Sequence, residues 1–270
     1  MWAEKYGGFV MNAAINHFVH GTLTSDPDKG TKVEYHCELP TGSGLGTSAA
    51  MNVVLVTLLR TETDIEHTVA HEIAEQAYEF ESLLGVRGGR QDQYAAAFGF
   101  FSALTFTSHV SRKFLIPDCN FERQLQERLV LCYTGKQRLS GNIHENVWGS
   151  LKRRNPRVVS AMRTLKSCGE EAFKSIQSGN IDSLGEVMNL NWEAQKRLDD
   201  SITNHDMEHI FKMAFASGAV SGKACGAGGG GCLLFLTEEG RTDEVRKVLF
   251  SAGYRILPFK FCPWGVSVEK

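Results

Sequence analysis

The chain has 270 residues, of which 42% are hydrophobic and 22% are charged, and its formal net charge is -2. This composition is typical of a soluble globular protein with one large domain or two modest ones. The small charge disfavours nucleic acid or an anionic membrane surface as a partner, and no apolar run approaches the roughly 18 residues of a spanning helix. The N-terminus lacks a secretory pattern, and seven scattered cysteines favour reduced thiols in the cytoplasm.

The N-terminal part of the chain predicts a β hairpin followed by two helices. Strands are predicted over residues 9–22 and 31–39, with a dense turn signal at residues 25–30 between them. An apolar, helix-compatible segment after residue 47 predicts a helix over residues 48–59, and apolar residues at three- and four-residue steps predict a second over residues 64–84.

The C-terminal part predicts a second lobe of mixed composition. Residues 115–120 look like a break, and a buried strand is predicted over residues 128–133, so we divide the chain into lobes 1–122 and 123–270. The remaining predicted elements are helices over 142–166, 170–176, 181–198, 207–217 and 241–252, and strands over 233–236 and 255–261. This order favours an α+β fold with an antiparallel sheet.

The stretch Pro-Thr-Gly-Ser-Gly-Leu-Gly-Thr-Ser-Ala-Ala, residues 40–50, reads as a glycine-rich loop that enters a helix. Glycines permit positive φ, so consecutive N–H groups can point at one anion while the helix adds its positive end. The spacing fits neither the Walker P-loop nor the dinucleotide fingerprint. A nucleotide phosphate fits this loop; the alternative is that its hydroxyl groups simply cap the helix.

Phosphoryl transfer also needs a divalent ion and a group that deprotonates the attacking hydroxyl. Ser48 and Glu81 offer oxygen ligands suited to Mg²⁺. Asp92 is the candidate catalytic base, since it stands in a tight loop where the guanidinium of Arg90 could keep it ionised. The alternatives are a surface glutamate at position 81 and a helix-capping aspartate at position 92.

The first loop resembles the phosphate loop of the GHMP kinases, P-x-x-x-G-L-G-S-S-A-A, with Thr47 in place of the first serine. In that family an acid eleven positions before the catalytic aspartate binds Mg²⁺, and Glu81 stands eleven before Asp92. The glycine run at residues 225–232 resembles the third family motif. The resemblance implies ATP and Mg²⁺ as cofactors and a two-lobed α+β fold, with a ribosomal S5 domain 2-like N-terminal lobe and a ferredoxin-like C-terminal lobe. The implied nucleotide contacts are Pro40, Gly42, Ser43, Gly44, Leu45, Gly46, Thr47, Ser48, Ala49, Gly226, Gly228 and Gly229.

Within this family, residues 88–99, 133–138 and 192–198 resemble the branch of heptose-phosphate and L-fucose kinases. The resemblance implies transfer of the γ-phosphate of ATP to the anomeric hydroxyl of a heptose 7-phosphate or similar sugar, with an L-fucose kinase-like enzyme as the alternative. Lys136 and Arg138 could meet a phosphate on such a substrate, or they are solvated cations.

The chain also departs from the pattern of this family. It opens on the segment that follows the usual glycine-rich, acid-bearing motif, few residues separate its early strand from the phosphate loop, and Phe100 stands where this branch usually has glycine. We therefore expect an N-terminally shortened kinase. One alternative is a nucleotide-binding protein that has lost sugar-kinase activity. Another is a subunit that completes its cleft with another chain, for example in a homodimer.

Overall fold

The computed structural model describes residues 6–28, 30–40, 42–60, 65–85, 88–107, 110–136 and 141–269. In chain order the strands are β1 (Gly8–Ala13), β2 (Val19–Asp26), β3 (Gly30–Cys37), β4 (Phe101–Phe106), β5 (Val110–Leu115), β6 (Leu129–Tyr133), β7 (Ala219–Ala224), β8 (Cys232–Thr237) and β9 (Arg255–Ile256). The helices are α1 (Thr47–Leu58), α2 (His67–Leu83), α3 (Gln91–Phe98), α4 (Cys119–Arg128), α5 (Gly141–Lys152), α6 (Pro156–Gln177), α7 (Ile181–Lys196), α8 (His205–Ala216) and α9 (Thr242–Ser251). Within these ranges, every helix is too short or too polar to span a bilayer.

The N-terminal lobe contains an antiparallel sheet in the order β1-β4-β5 and a separate hairpin of β2 and β3. Buried residues of α1, α2 and α3, such as Ile73 and Tyr94, pack against Leu104 of β4. The predicted hairpin is confirmed, but the single strand predicted over residues 9–22 is wrong. The chain bends between β1 and β2 because Ile15 bridges to Phe261, which draws the backbone out of both sheets.

The C-terminal lobe contains an antiparallel sheet in the order β7-β8-β6-β9, which confirms the predicted α+β character. One face buries Val130 and Phe235 against Phe211 of α8. The other face meets the N-terminal lobe, where Leu236 and Phe101 share one apolar cluster. The two lobes therefore bury apolar surface against each other.

Two helices differ from the predicted pattern in the C-terminal half. The helical character predicted over 142–166 and 170–176 is confirmed, but the predicted break between them is wrong, because the chain turns after α5 and α6 then continues without interruption to Gln177. The turn was detectable, because Asn155 caps the helix and Pro156 occupies its first position. Gly169 lies inside α6 without interrupting it. The Phe9 carbonyl oxygen packs against this glycine so closely that a Cβ at position 169 would lie 2.5 Å from it.

The segment between the two lobes is also more helical than predicted. The break is restricted to residues 116–118, after which α4 begins with Asp118 as its cap. The division between residues 122 and 123 falls inside α4 and stays a prediction.

Removing the cap of α6 should destabilise the protein measurably. The Asn155 side chain accepts hydrogen bonds from the N–H groups of Arg157 and Val158 at 3.0 and 3.4 Å. We expect Asn155→Ala to lower the free energy of unfolding by about 1 kcal/mol, since those donors lose their side-chain partner. Urea denaturation checks this, with Asn155→Ser as a control that keeps a capping oxygen. An unchanged midpoint for Asn155→Ala would contradict this account of the turn.

The end of the chain returns to the N-terminal lobe instead of completing a long strand. β9 covers only residues 255–256, so the strand predicted over 255–261 is largely wrong. The Phe100 N–H donates to Cys262 O, and the Val266 N–H donates to Ala97 O. Phe100 lies in the left-handed region with φ of 57°, at the position where the resemblance expects glycine. This returning segment fixes the C-terminal end of α3.

Candidate active site

The first glycine loop has the backbone conformation that an anion cradle requires. Gly42, Gly44 and Gly46 have φ of 75°, 77° and 76°, which residues with a side chain rarely adopt. Gly46 is the N-cap of α1, and no side chain caps this helix, so the alternative that the hydroxyl groups cap it is wrong. The helical ladder begins with Ala50 N–H donating to Gly46 O. The preceding N–H groups, at residues 47–49, are therefore not used by the helix and carry its positive end.

Of the other residues of this loop, some are buried beneath it and one is exposed at its C-terminal end. Ser43 and Thr47 are buried, with their hydroxyl oxygens 3.4 Å apart, and Ala49 is buried as well. Leu45 packs in an apolar cluster between the lobes, and Pro40 O accepts from the Ser43 N–H. Ser48 is exposed, so of the loop hydroxyl groups described it is the one that faces outward. Thr41 lies outside the described residues.

The second glycine loop, residues 225–232, contacts the first one directly. A Cβ on Gly44 would lie 2.7 Å from Cys225 O, and a Cβ on Gly226 would lie 3.0 Å from the Gly44 Cα. The Cys232 N–H donates to Ser43 O at 2.7 Å, which ties the two loops together. The loops thus meet across the boundary between the lobes.

Gly228 and Gly229 lie on the far side of this second loop. A Cβ on Gly228 would lie 2.7 Å from Ile202 O, and the Gly229 N–H donates to that same oxygen at 2.6 Å. Gln195 supports the near side by donating to Gly226 O at 2.8 Å. A nucleotide role for Gly228 and Gly229 stays a prediction.

The two predicted carboxylates lie beside the first loop. Glu81 stands near the end of α2 and is buried, and its Oε1 accepts from Ser48 Oγ at 3.2 Å. Asp92 lies in the first turn of α3, where a Cβ on Gly46 would be 3.2 Å from the Asp92 Cβ. The structure therefore brings Gly46, Ser48, Glu81 and Asp92 together.

The Asp92 carboxyl has a perturbed pKa. Burial, and then the negative charge of Glu81, raise its pKa from the usual 3.8 to about 6. The prediction that Arg90 keeps Asp92 ionised is wrong, because Arg90 forms an ion pair with Glu75 at 3.4 Å and stacks on the Tyr78 ring. The capping alternative is also wrong, since the N-cap of α3 is Arg90.

The donor set fits a magnesium ion bound with a nucleotide. In the described part of the chain, no basic side chain forms an ion pair with Glu81 or Asp92. Those same ranges hold no group of three or more His, Cys, Asp or Glu arranged for a metal. Two carboxylates and the Ser48 hydroxyl are hard oxygen donors, and Mg²⁺ ordinarily completes such a set with phosphate oxygens and water. A side chain at Gly44 or Gly226 would collide with the backbone of the other loop, so these positions present backbone alone.

Other charged features lie outside this arrangement. Lys136 forms an exposed ion pair with Asp206, and Arg138 lies outside the described residues, so a contact of these cations with a substrate phosphate stays a prediction. Two open clefts, of about 620 and 310 Å³, lie beside the C-terminal end of α7 and along α6 respectively, and neither is lined by a residue of the glycine loops. They take no part in the site.

Sequence reasoning missed several residues that shape the site. Gln93 donates to Glu81, and Asn12 Nδ2 donates to Gln91 O at 2.8 Å, which ties β1 to the start of α3. Gln93 and Gln195 stand within the stretches 88–99 and 192–198, so those stretches offered a signal. Asn12 offered none, because its role arises from a contact between residues 79 positions apart.

Comparison with known proteins identifies sequences similar to both halves of the chain. Residues 9–100 match the profile "GHMP kinases N terminal domain", and residues 171–255 match "GHMP kinases C terminal". The chain is 26% identical to D-glycero-alpha-D-manno-heptose 7-phosphate kinase of Campylobacter jejuni, over 99% of this chain and 92% of that protein. It is 27% identical to the bifunctional fucokinase/GDP-fucose pyrophosphorylase of Arabidopsis thaliana, over 82% of this chain but only 21% of that protein.

Solved structures share the fold. A D-glycero-D-manno-heptose 1-phosphate kinase from Bacteroides thetaiotaomicron superposes with a TM-score of 0.72 at 22% identity, covering 100% of this chain and 93% of its own. The galactokinase of Lactococcus lactis, solved with galactose, gives a TM-score of 0.73 at 17% identity, covering 98% and 90% of the two chains. The two-lobed arrangement predicted from the sequence is confirmed.

Proposed function

Because this chain belongs to the GHMP kinase family, we propose that it is an ATP-dependent sugar kinase that transfers the γ-phosphate to the anomeric hydroxyl of a heptose 7-phosphate or a similar sugar. The observation that carries this proposal is the contact between Gly46 and Asp92, because it sets a carboxylate of raised pKa directly against the glycine loop that we propose binds the phosphates. Nearly full-length similarity to a heptose 7-phosphate kinase supports this acceptor. An L-fucose kinase-like activity is the second candidate, supported by the shorter match to a fucokinase.

The proposed reaction needs little covalent chemistry from the protein. The amides of residues 44–49 bind the phosphates, and Asp92 accepts the proton of the sugar hydroxyl as that oxygen attacks the γ-phosphorus. The bond from the γ-phosphorus to the bridging oxygen breaks, and ADP leaves. Ser48 and Glu81 would hold the magnesium ion. When bound, Mg²⁺ supplies positive charge that neutralises the phosphate oxygens.

The setting of the enzyme is also part of the proposal. All seven cysteines are free thiols, which supports the cytoplasm as its location. We further propose that lobes 1–122 and 123–270 close the site between them and that the chain can act as a homodimer. The sedimentation velocity of the purified protein tests whether it forms a homodimer.

The activity of such an enzyme should depend on the protonation of Asp92. With a pKa of about 6, the carboxylate form needed to accept a proton is lost as the pH falls through that value. We expect kcat/KM to be level above about pH 7 and to fall roughly tenfold per pH unit below the pKa. Initial rates measured over a range of sugar concentrations at each pH give this profile of kcat/KM. A rate that stays level down to pH 4.5 would contradict proton acceptance by Asp92.

A panel of acceptors in a coupled ADP-release assay tests the function itself. We expect ADP release that depends on D-glycero-D-manno-heptose 7-phosphate and exceeds that with L-fucose or galactose by at least tenfold. A preference for L-fucose would support the second candidate. Mg-ATP binding without sugar-dependent ADP release would overturn the kinase proposal in favour of a nucleotide-binding protein.

A further inference from the structure

Gln93 is a buried polar residue to which the reaction above gives no role. It follows Asp92 in α3, and its side chain is 0% exposed. Its Nε2 donates to Glu81 Oε2 at 2.5 Å, whereas its Oε1 is buried without a hydrogen-bond partner among the described residues. An unpaired buried carbonyl oxygen costs about 1–3 kcal/mol. The hydrogen bond described for this side chain is therefore the one that its N–H group donates to Glu81.

Glu81 is held by neutral donors alone in the part of the chain that the structure describes. Ser48 Oγ meets one carboxylate oxygen, and Gln93 Nε2 meets the other. A lysine or arginine at position 93 would neutralise the carboxylate and compete with a metal ion for it. A neutral amide orients the carboxylate and leaves its full charge, which is uncompensated and therefore unfavourable until a cation arrives.

The same helix carries the candidate base. Gln93 and Asp92 are neighbours in α3, and Asn12 ties the start of that helix to β1. The hydrogen bond from Gln93 thus fixes Glu81 of α2 relative to Asp92. A partner of this kind, one shell outside the metal, typically changes metal affinity by about 10- to 100-fold.

We propose that Gln93 is a positioning residue for the divalent ion, which orients Glu81 by a neutral hydrogen bond so that the carboxylate keeps its charge for the metal. The inference rests on the metal role proposed above for Ser48 and Glu81. It assigns Gln93 no contact with the sugar and no part in proton transfer.

Calorimetric titration with Mn²⁺-ADP and with metal-free ADP tests this inference without turnover. Mn²⁺ prefers the same oxygen ligands as Mg²⁺. In Gln93→Met, which keeps the side-chain length, we expect the affinity for Mn²⁺-ADP to fall about 10- to 100-fold while that for metal-free ADP changes less than about twofold. Gln76→Met is the matched control, because Gln76 is exposed on the same helix as Glu81, and it should bind both ligands as the unaltered protein does.

A second variant guards against a simple folding defect. Gln93→Asn keeps an amide but retracts it by one methylene, and we expect the same selective loss, with thermal melting curves confirming that each variant is folded. Unchanged Mn²⁺-ADP affinity in both variants would overturn the inference, as would an equal loss for ADP with and without metal. Unaltered protein that binds ADP no better with Mn²⁺ would overturn the metal site as well. Selective loss in a protein that phosphorylates no sugar would support Gln93 and overturn only the proposed function.

Discussion

Asp92→Asn should abolish most sugar-dependent ADP release and yet make the nucleotide-free protein more stable at pH 8. The amide cannot accept the proton of the attacking hydroxyl, so we expect kcat to fall on the order of 10²- to 10⁴-fold. A coupled assay at saturating Mg-ATP and sugar measures this loss. Asp118→Asn is the matched control, because Asp118 caps α4 and asparagine also serves as a cap. Full activity in Asp92→Asn would remove Asp92 from the reaction.

The gain in stability follows from the sign of the pKa shift. Because the folded pKa of Asp92 is raised from 3.8 to about 6, the folded state binds more protons than the unfolded state in that window. The contribution of Asp92 to the free energy of unfolding is therefore full below about pH 4 and is lost as the pH rises through about 6. The shift corresponds to at most about 3 kcal/mol, and to less here, because the half-buried side chain is partly screened by water. Asparagine avoids this loss.

Melting curves across pH therefore distinguish a catalytic from a structural aspartate. Without nucleotide, the variant should melt a few degrees above the unaltered protein at pH 8. The difference should disappear near pH 4, where both side chains are neutral. A variant that melts lower at pH 8 would mean that the carboxylate stabilises the fold, which would contradict the unfavourable burial inferred here.

Gly44→Ala should weaken nucleotide binding far more than an alanine introduced at an equally strained glycine elsewhere. Gly44 and Gly240 have φ of 77° and 76°, so alanine costs about 1–2 kcal/mol of backbone strain at either position. A Cβ at Gly44 would also lie 2.7 Å from Cys225 O, whereas a Cβ at Gly240 meets no atom within 4 Å. The two glycine loops must therefore separate in Gly44→Ala alone.

The matched pair isolates the contact between the loops from the backbone strain. We expect the affinity for Mg-ATP to fall about 100-fold in Gly44→Ala, since displacement of a cradle by a fraction of an ångström misaligns several amides. Gly240→Ala should bind Mg-ATP normally, and urea denaturation should show it destabilised by its strain alone. Equal affinities in the two variants, measured by calorimetry, would contradict a nucleotide site at this contact.

The parts of the fold that the sequence predicted correctly are those specified by local patterns. The turn at residues 25–30 and its flanking strands predict the β2–β3 hairpin, an apolar segment after the glycine loop predicts α1, and apolar spacing predicts α2. The glycine loop was detectable because positive φ at three alternate positions requires glycine. These features depend on residues close in the chain.

The parts that the sequence could not predict depend on distant partners. The bend after β1 arises from a bridge between Ile15 and Phe261, and no local pattern announces it. Arg90 stands only two residues before Asp92, but its side chain lies against Glu75 of α2. The same holds for the site. The sequence predicted Ser48, Glu81 and Asp92 as site residues, but the hydrogen bond from Gln93 to Glu81 became visible only in the structure.

Phosphorus NMR of the purified protein with Mg-ATP and D-glycero-D-manno-heptose 7-phosphate tests the central claim most directly. The account predicts a new phosphate signal coupled to the anomeric proton, which grows in a one-to-one ratio with ADP and fails to appear with Asp92→Asn. ATP that stays intact with every sugar, or a γ-phosphate released only as inorganic phosphate, would contradict it.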